Sequence, residues 1–149
     1  MCKLSFIIPC YRSENTVGNV INEIAETVKA LSIDEYEIIA VDDCSPDDVY
    51  GKLVSIGRDD PRVRAIRFSR NFGQHAGMIA GVQHSRGDIC VFLDDDGQCP
   101  IDCLGELIKP LGEGYDIAIA EYGKKKQSAF KNLGSKFNEI AANILIDKP

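Results

Sequence analysis

A mostly parallel α/β sheet covered by helices on both faces is the fold class this chain predicts, and three observations predict it. Short apolar runs alternate with stretches whose apolar residues recur at helical spacing. The runs are rich in Ile, Val and Phe, as strands buried on both faces are. Polar and ionisable residues gather directly after the runs, where an open α/β sheet binds its ligands beyond the carboxyl ends of its strands.

The elements follow in order. Lys3–Pro9 is a short Ile- and Phe-rich strand. Glu14–Leu31 carries Val17, Val20, Ile21, Ile24, Val28 and Leu31 on one helical face. Tyr36–Val41 is a second strand, and Asp47–Gly57 a helix with Ser45 or Asp47 as N-cap. Val63–Phe68 is a third strand. Gly73–Ser85 is helical, with Met78, Ile79 and Val82 on one side. Asp88–Leu93 is a fourth strand, Ile101–Leu111 a helix, Tyr115–Ala120 a fifth strand and Ser128–Ile146 a last helix. The chain shows no internal repeat, low-complexity tract or linker, so it reads as one unit over 1–149.

Composition narrows the function classes. At 149 residues and 44% hydrophobic, the chain can bury roughly two-thirds of its unfolded surface, and disorder is excluded as its main state. No apolar run approaches the roughly 18 to 20 residues a bilayer span needs. The start, MCKLSFIIPCYRSEN, lacks the long apolar core of a secretory signal. Residues 1–120 hold 11 Lys and Arg against 20 Asp and Glu, which argues against nucleic acid as a partner. Residues 121–149 reverse the balance, with 6 Lys against 3 acids. The six cysteines, at 2, 10, 44, 90, 99 and 103, read as thiols of a reducing compartment, with Cys90 in the core. Cys99 and Cys103 have helical spacing, but no second ligand pair follows, so a zinc site is not expected.

The chemistry sits after the strands. Asp94-Asp95-Asp96 is the sharpest signal. Two unit charges about 4 Å apart repel by about 4 kcal/mol at an effective dielectric near 20. A divalent cation removes that cost, and hard carboxylate oxygens suit Mg2+ or Mn2+. The competing reading is a solvated acidic turn capping the next helix. Asp42-Asp43 repeats the arrangement at another strand end, where a carboxylate can accept from a ribose hydroxyl or base N–H, or form an Asx turn. Tyr11 can stack on a base or lie partly in the core. Arg70 can fork onto a phosphate or pair with a surface acid. Neither His75 nor His84 is assigned as a catalytic base. Gly73, Gly77 and Gly81 either allow close helix–sheet packing or present N–H groups to an anion. The Gly-x-Gly-x-x-Gly and Gly-x-x-x-x-Gly-Lys-Ser/Thr signatures are absent, which argues against a dinucleotide-dependent dehydrogenase and an ordinary NTPase.

Four segments in order carry a resemblance: Phe6–Tyr11 with Glu14-Asn15; Val41–Ser45; Arg70–Ala76; and Arg86–Asp88 with Leu93–Pro100. Together they resemble family 2 of the inverting glycosyltransferases. The nearest pattern is the polyprenyl-phosphate branch, which includes dolichol-phosphate mannose synthases and the bacterial enzymes that load glucose or aminoarabinose onto undecaprenyl phosphate. The resemblance implies a Rossmann-like, nucleotide-sugar-binding GT-A half and transfer of a sugar from a UDP- or GDP-sugar, with inversion, to a polyprenyl phosphate or glycan. It implies that Pro9, Tyr11, Glu14, Asp43, Arg70, Gln74 and Asp95 bind the nucleotide-sugar. Asp94 and Asp96, helped by Gln98, would hold Mg2+ or Mn2+ on the donor diphosphate. A lipid phosphate acceptor is already ionised near neutral pH and needs positioning more than a strong base.

Departures bear on these expectations. The family usually reads Asp-Ala-Asp-Leu-Gln where this chain has Asp94-Asp95-Asp96-Gly97-Gln98, and Cys44 replaces a usual Gly. The family's catalytic domain usually continues past the equivalent of Pro149, so the chain is expected to be its N-terminal, donor half, with the acceptor-side acid further on. Phe130, Leu133, Phe137, Ile140, Ala141, Ile144 and Leu145, beside Lys124-Lys125-Lys126, Lys131 and Lys136, suit a helix packed on the sheet, a helix resting on anionic lipid, or a homodimer contact. The implied location is the cytoplasmic face of a membrane. A catalytically idle nucleotide-binding or assembly module is the rival reading. A phospho-acceptor signalling domain is a weaker one, because no Asp follows the third strand.

Overall fold

The computed structural model describes residues 2–120, which fall in two units divided between Lys109 and Pro110. The expected helix over 128–146, and with it the lipid-surface and homodimer expectations, lies outside the described residues.

The first unit alternates strand and helix: β1 (Leu4–Cys10), α1 (Val17–Ala30), β2 (Tyr36–Asp42), α2 (Val49–Asp59), β3 (Val63–Arg67), α3 (Gln74–His84) and β4 (Ile89–Phe92). A single 3-10 turn, Ile101–Cys103, then leads into α4 (Leu104–Gly112). The sheet is parallel throughout, in the order β3-β2-β1-β4. Register aligns the strand ends. Cys10 pairs with Asp42, so the loops that begin at Tyr11 and Asp43 leave side by side. Ile7 pairs with Phe92, and the Leu93 amide donates to the Ile7 carbonyl at 3.1 Å, which brings the β4 loop up beside Pro9.

Alternation along β1 divides the core. Leu4, Phe6 and Ile8 face α1 and α2, meeting Val17, Ile21, Ile24, Val28, Val49 and Leu53 in one buried cluster. Each such side chain contributes roughly 1.5–3 kcal/mol on burial. Ile7 and Pro9 face α3, and here glycine is a packing requirement. A methyl group at Gly81 would sit 2.3 Å from the Ile7 side chain, and one at Gly77 3.1 Å from Pro9. Of the two readings of the glycine spacing, close helix–sheet approach is the one the packing requires at these two positions.

Four local expectations are corrected. Tyr115–Ala120 is not a strand; Tyr115, Ile117 and Ile119 are exposed. A period-2 pattern supplies propensity, but a strand exists only where a neighbour pairs its backbone, and no described strand does so. The first helix begins at Val17 rather than Glu14, because Ser13–Thr16 form a turn. The second is preceded by Asp48, because the side chains of Ser45 and Asp47 are engaged elsewhere. Cys90 is half-buried rather than core, since it lies on β4 at the sheet edge. All six cysteines are free thiols.

Candidate functional site

The loops at the carboxyl ends of the strands enclose an open cleft of about 300 Å3, lined by Pro9, Cys10, Tyr11, Asp43, Gln74, Asp94, Asp95 and Asp96. Pro9 and Cys10 come from the end of β1, Asp43 from just past β2, Gln74 from the first residue of α3, and the three acids from just past β4. This is the edge where parallel α/β sheets bind ligands. Cys10 is a neutral neighbour: burial, and then the charge of Asp95, push its thiol pKa up.

Hydrogen bonds tie the four loops into a closed ring. The Arg12 amide donates to Ser45 Oγ at 2.7 Å, and the Glu14 amide to Asp47 Oδ2 at 3.0 Å, joining the first loop to the second. Burial pushes the Asp47 carboxyl up, but bonds from the Ser45 hydroxyl and backbone amides outweigh it and hold Asp47 below the usual carboxylate range. Asp43 accepts from the Phe72 amide at 2.6 Å and the Gly73 amide at 2.8 Å, joining the second loop to the third. Gln74 Nε2 donates to Asp94 Oδ1 at 3.0 Å, joining the third to the fourth. The Tyr11 amide donates to Asp95 Oδ2 at 2.9 Å and closes the circuit.

The backbone is strained where the ring is tightest. Arg12 and Cys44 are both left-handed, with φ of 59° and 53°. A side chain there costs roughly 1–2 kcal/mol, which is the physical sense of a glycine at position 44. Cys44→Gly is expected to raise stability by about 0.5–1 kcal/mol, after the larger unfolded-state entropy of glycine is set against the relieved strain. Urea unfolding checks this as a higher midpoint at unchanged slope; a lower midpoint contradicts it. Gly97 turns the acidic loop at φ 71°, allowing the Gln98 amide to donate to Asp96 Oδ1 at 2.8 Å.

Of the residues expected in the site, Pro9, Tyr11, Asp43, Gln74, Asp94, Asp95 and Asp96 come together, and Glu14, Arg70 and Gln98 lie outside the lining. Glu14 Oε2 accepts from the Asp48 amide at 3.0 Å, at the start of α2. The Arg70 guanidinium lies 4.7 Å from the centre of the Phe72 ring. Gln98 contributes its amide to the Asp96 turn. Sequence reasoning assigned no role to Cys10, although it directly follows the first predicted strand, and missed the loop ties of Ser45 and Asp47.

The acids fit a divalent cation of a particular kind. Among the described residues Asp94, Asp95 and Asp96 have no Lys or Arg ion-pair partner; the bonds found on them come from neutral donors. Yet no three His, Cys, Asp or Glu side chains among those residues converge as a ready-made metal cage. Mg2+ and Mn2+ sites that take one or two carboxylates, and fill the remaining positions with water and substrate phosphate oxygens, have this character. Asp94 accepts from Gln74, Asp95 from the Tyr11 amide and Asp96 from the Gln98 amide, and each carboxylate keeps lone pairs for further partners.

Comparison with known proteins follows the same line. The family described as Glycosyl transferase family 2 matches residues 5–146. The undecaprenyl-phosphate 4-deoxy-4-formamido-L-arabinose transferase of Pseudomonas fluorescens strain SBW25 is 32% identical over 139 residues, 93% of this chain and 40% of that protein. The enzyme of the same description from Proteus mirabilis is 33% identical over 135 residues, 90% of this chain and 41% of its own. The chain thus spans about 40% of the length of these curated relatives. Among solved structures, a mannosyltransferase from Pyrobaculum calidifontis in complex with GDP-Man and Mn2+ is 19% identical, with a TM-score of 0.65 over 76% of this chain and 33% of that one. TarS of S. aureus in complex with UDP-GlcNAc is 23% identical, with a TM-score of 0.59 over 74% and 31%. At these identities the likeness is one of fold.

Proposed function

This chain belongs to glycosyl transferase family 2, and we propose that it forms the donor-binding half of an enzyme that moves a sugar from a nucleotide-sugar to a polyprenyl phosphate, with inversion at the sugar carbon. The observation that carries the reading is the ring of four loops around a cleft holding four carboxylates, Asp43, Asp94, Asp95 and Asp96, at the ligand edge of the sheet. Membership of the family sets aside the phospho-acceptor signalling reading. The polyprenyl phosphate acceptor is supported by relatives at 32–33% identity that act on undecaprenyl phosphate. A polyprenyl phosphate acceptor would be held in a lipid bilayer, and a place at the cytoplasmic face of a membrane is part of the proposal; among the described residues no helix is long and apolar enough to cross one.

The residues divide the work. Asp43 would meet the base; its two oxygens are already fixed by the Phe72 and Gly73 amides, so it would do so without reorganising. Tyr11 leaves β1 with 44% of its surface exposed, a face for the nucleoside. Asp94 and Asp96 are the residues that would hold Mg2+ or Mn2+. The cation would stabilise the negative charge that collects on the diphosphate as the glycosidic bond breaks. The acceptor phosphate is ionised and attacks from the opposite face; no side chain described here serves as its base.

The test is calorimetry of UDP and GDP with the full-length protein, with and without Mn2+. One of the two is expected to bind, and Mn2+ to tighten it about ten-fold or more. A protein that binds neither nucleotide under either condition overturns the reading.

A further inference from the structure

We infer that Gln74 is a positioning residue for the cation site, acting through Asp94 rather than on the nucleotide. This rests on the reading of Asp94 as a metal ligand. Gln74 Nε2 donates to Asp94 Oδ1 at 3.0 Å, the one tie between the third and fourth loops among the bonds of the ring. The other bond found on Asp94 is the long contact of 3.6 Å from Cys99 Sγ to Oδ2, from a weak donor. The orientation of Asp94 therefore depends chiefly on Gln74.

The chemistry of that donor matters. A lysine or arginine in its place would fix Asp94 equally well but would bring a positive charge that opposes a cation. An amide fixes one oxygen and leaves the charge of the carboxylate whole, with a second lone pair on Oδ1 and, beside the weak Cys99 contact, one on Oδ2 open to other partners. Partners of this kind, one step removed from the metal, typically change its affinity by about 10- to 100-fold.

Gln74 is itself firmly placed. It is the first residue of α3, directly after Gly73, whose amide is held by Asp43 Oδ2 at 2.8 Å. The close approach at Gly77 and Gly81 sets the height of α3 above Pro9 and Ile7. A three-residue bridge, Phe72-Gly73-Gln74, consequently joins the acid on the base side of the cleft to the acid on the cation side. Shifting Asp43 shifts the donor of Asp94.

The experiment compares wild type with Gln74→Met, which keeps the length and packing of the side chain but lacks the donor, and with Gln74→Ala. Free Mn2+ is measured by electron paramagnetic resonance during titration of the full-length protein with Mn2+ alone. UDP and GDP binding is measured separately in EDTA. Both variants are expected to bind Mn2+ about ten-fold more weakly, with nucleotide affinity in EDTA and the thermal midpoint of the Met variant unchanged. A Met variant with wild-type Mn2+ affinity overturns the inference and leaves the proposed function standing. A Met variant that loses nucleotide affinity in EDTA as much as Mn2+ affinity also overturns it, because Gln74 then touches the nucleotide. A wild-type protein that binds no Mn2+ overturns the cation reading itself and this inference with it.

Discussion

Asp96→Asn is expected to abolish the Mn2+-dependent part of nucleoside diphosphate binding, weakening it about 100-fold when Mn2+ is present, and to leave binding in EDTA nearly unchanged. The substitution is chosen for what it keeps. Asp96 Oδ1 accepts from the Gln98 amide at 2.8 Å, and an asparagine Oδ1 accepts the same bond. Gly97 still turns at φ 71°, so the loop holds its shape. What is lost is one negative charge among three consecutive acids, none of them with a described basic ion-pair partner. A cation that takes only one or two protein carboxylates depends heavily on each. A 100-fold loss corresponds to about 2.7 kcal/mol, within the range expected for one of two protein ligands. Calorimetry in Mn2+ and in EDTA measures both arms. Equal losses in the two would place Asp96 on the nucleotide instead; no loss in either would remove it from the site.

The sequence showed the architecture where side-chain periodicity decides it and failed where a partner does. β1 and β2 were legible because Phe6-Ile7-Ile8 and Ile38-Ile39-Ala40-Val41 are apolar without alternation, the mark of a strand covered on both faces. Tyr115–Ala120 carries similar residues but has no described neighbour to pair with. The acids were legible as a group because three like charges in a row after a buried strand demand an explanation. Their separate tasks were not legible. Asp95 is bonded to the Tyr11 amide 84 residues away and Asp94 to Gln74 twenty residues away; the parallel register of β1 and β4 brings the first pair together, and the close packing of α3 on β1 brings in Gln74 for the second. Ser45 and Asp47 looked like helix caps because a local N-cap and a long-range loop tie use the same residue types.

At the opposite end of the sheet, Glu37→Ala is expected to destabilise the protein by about 1–3 kcal/mol, the usual result of leaving buried hydrogen-bond donors unsatisfied; Arg64, with 32% of its side chain exposed, keeps its access to water. Glu37 is 6% exposed. Its Oε1 accepts from Ser5 Oγ at 2.8 Å and the Arg86 amide at 2.6 Å, and its Oε2 from Arg64 at 2.8 Å. Ser5 Oγ in turn accepts from the Gly87 amide at 2.9 Å. One carboxylate thereby fixes the turn between α3 and β4, the two elements whose far ends carry Gln74 and Asp94. The loss should reach the cleft as well as the melting curve. Acid supplies a second handle. Burial pushes the Glu37 carboxyl up, but the bonds from Ser5 and Arg86 and the charges of Arg64 and Lys3 outweigh it, so its pKa lies below the ordinary value of 4.5. A carboxyl lowered on folding adds stability that is fully present above the unfolded value and is lost as pH falls through the folded one. The stability difference between wild type and Glu37→Gln, which keeps an acceptor but not the charge, should therefore be largest near pH 7 and shrink below about pH 4.5. Urea unfolding of both proteins at a series of pH values measures that difference directly, and the other carboxyls lowered on folding, Asp47, Asp60 and Asp88, cancel in it. A difference that stays constant with pH would mean that the network is held by shape alone and that the charge on Glu37 contributes nothing.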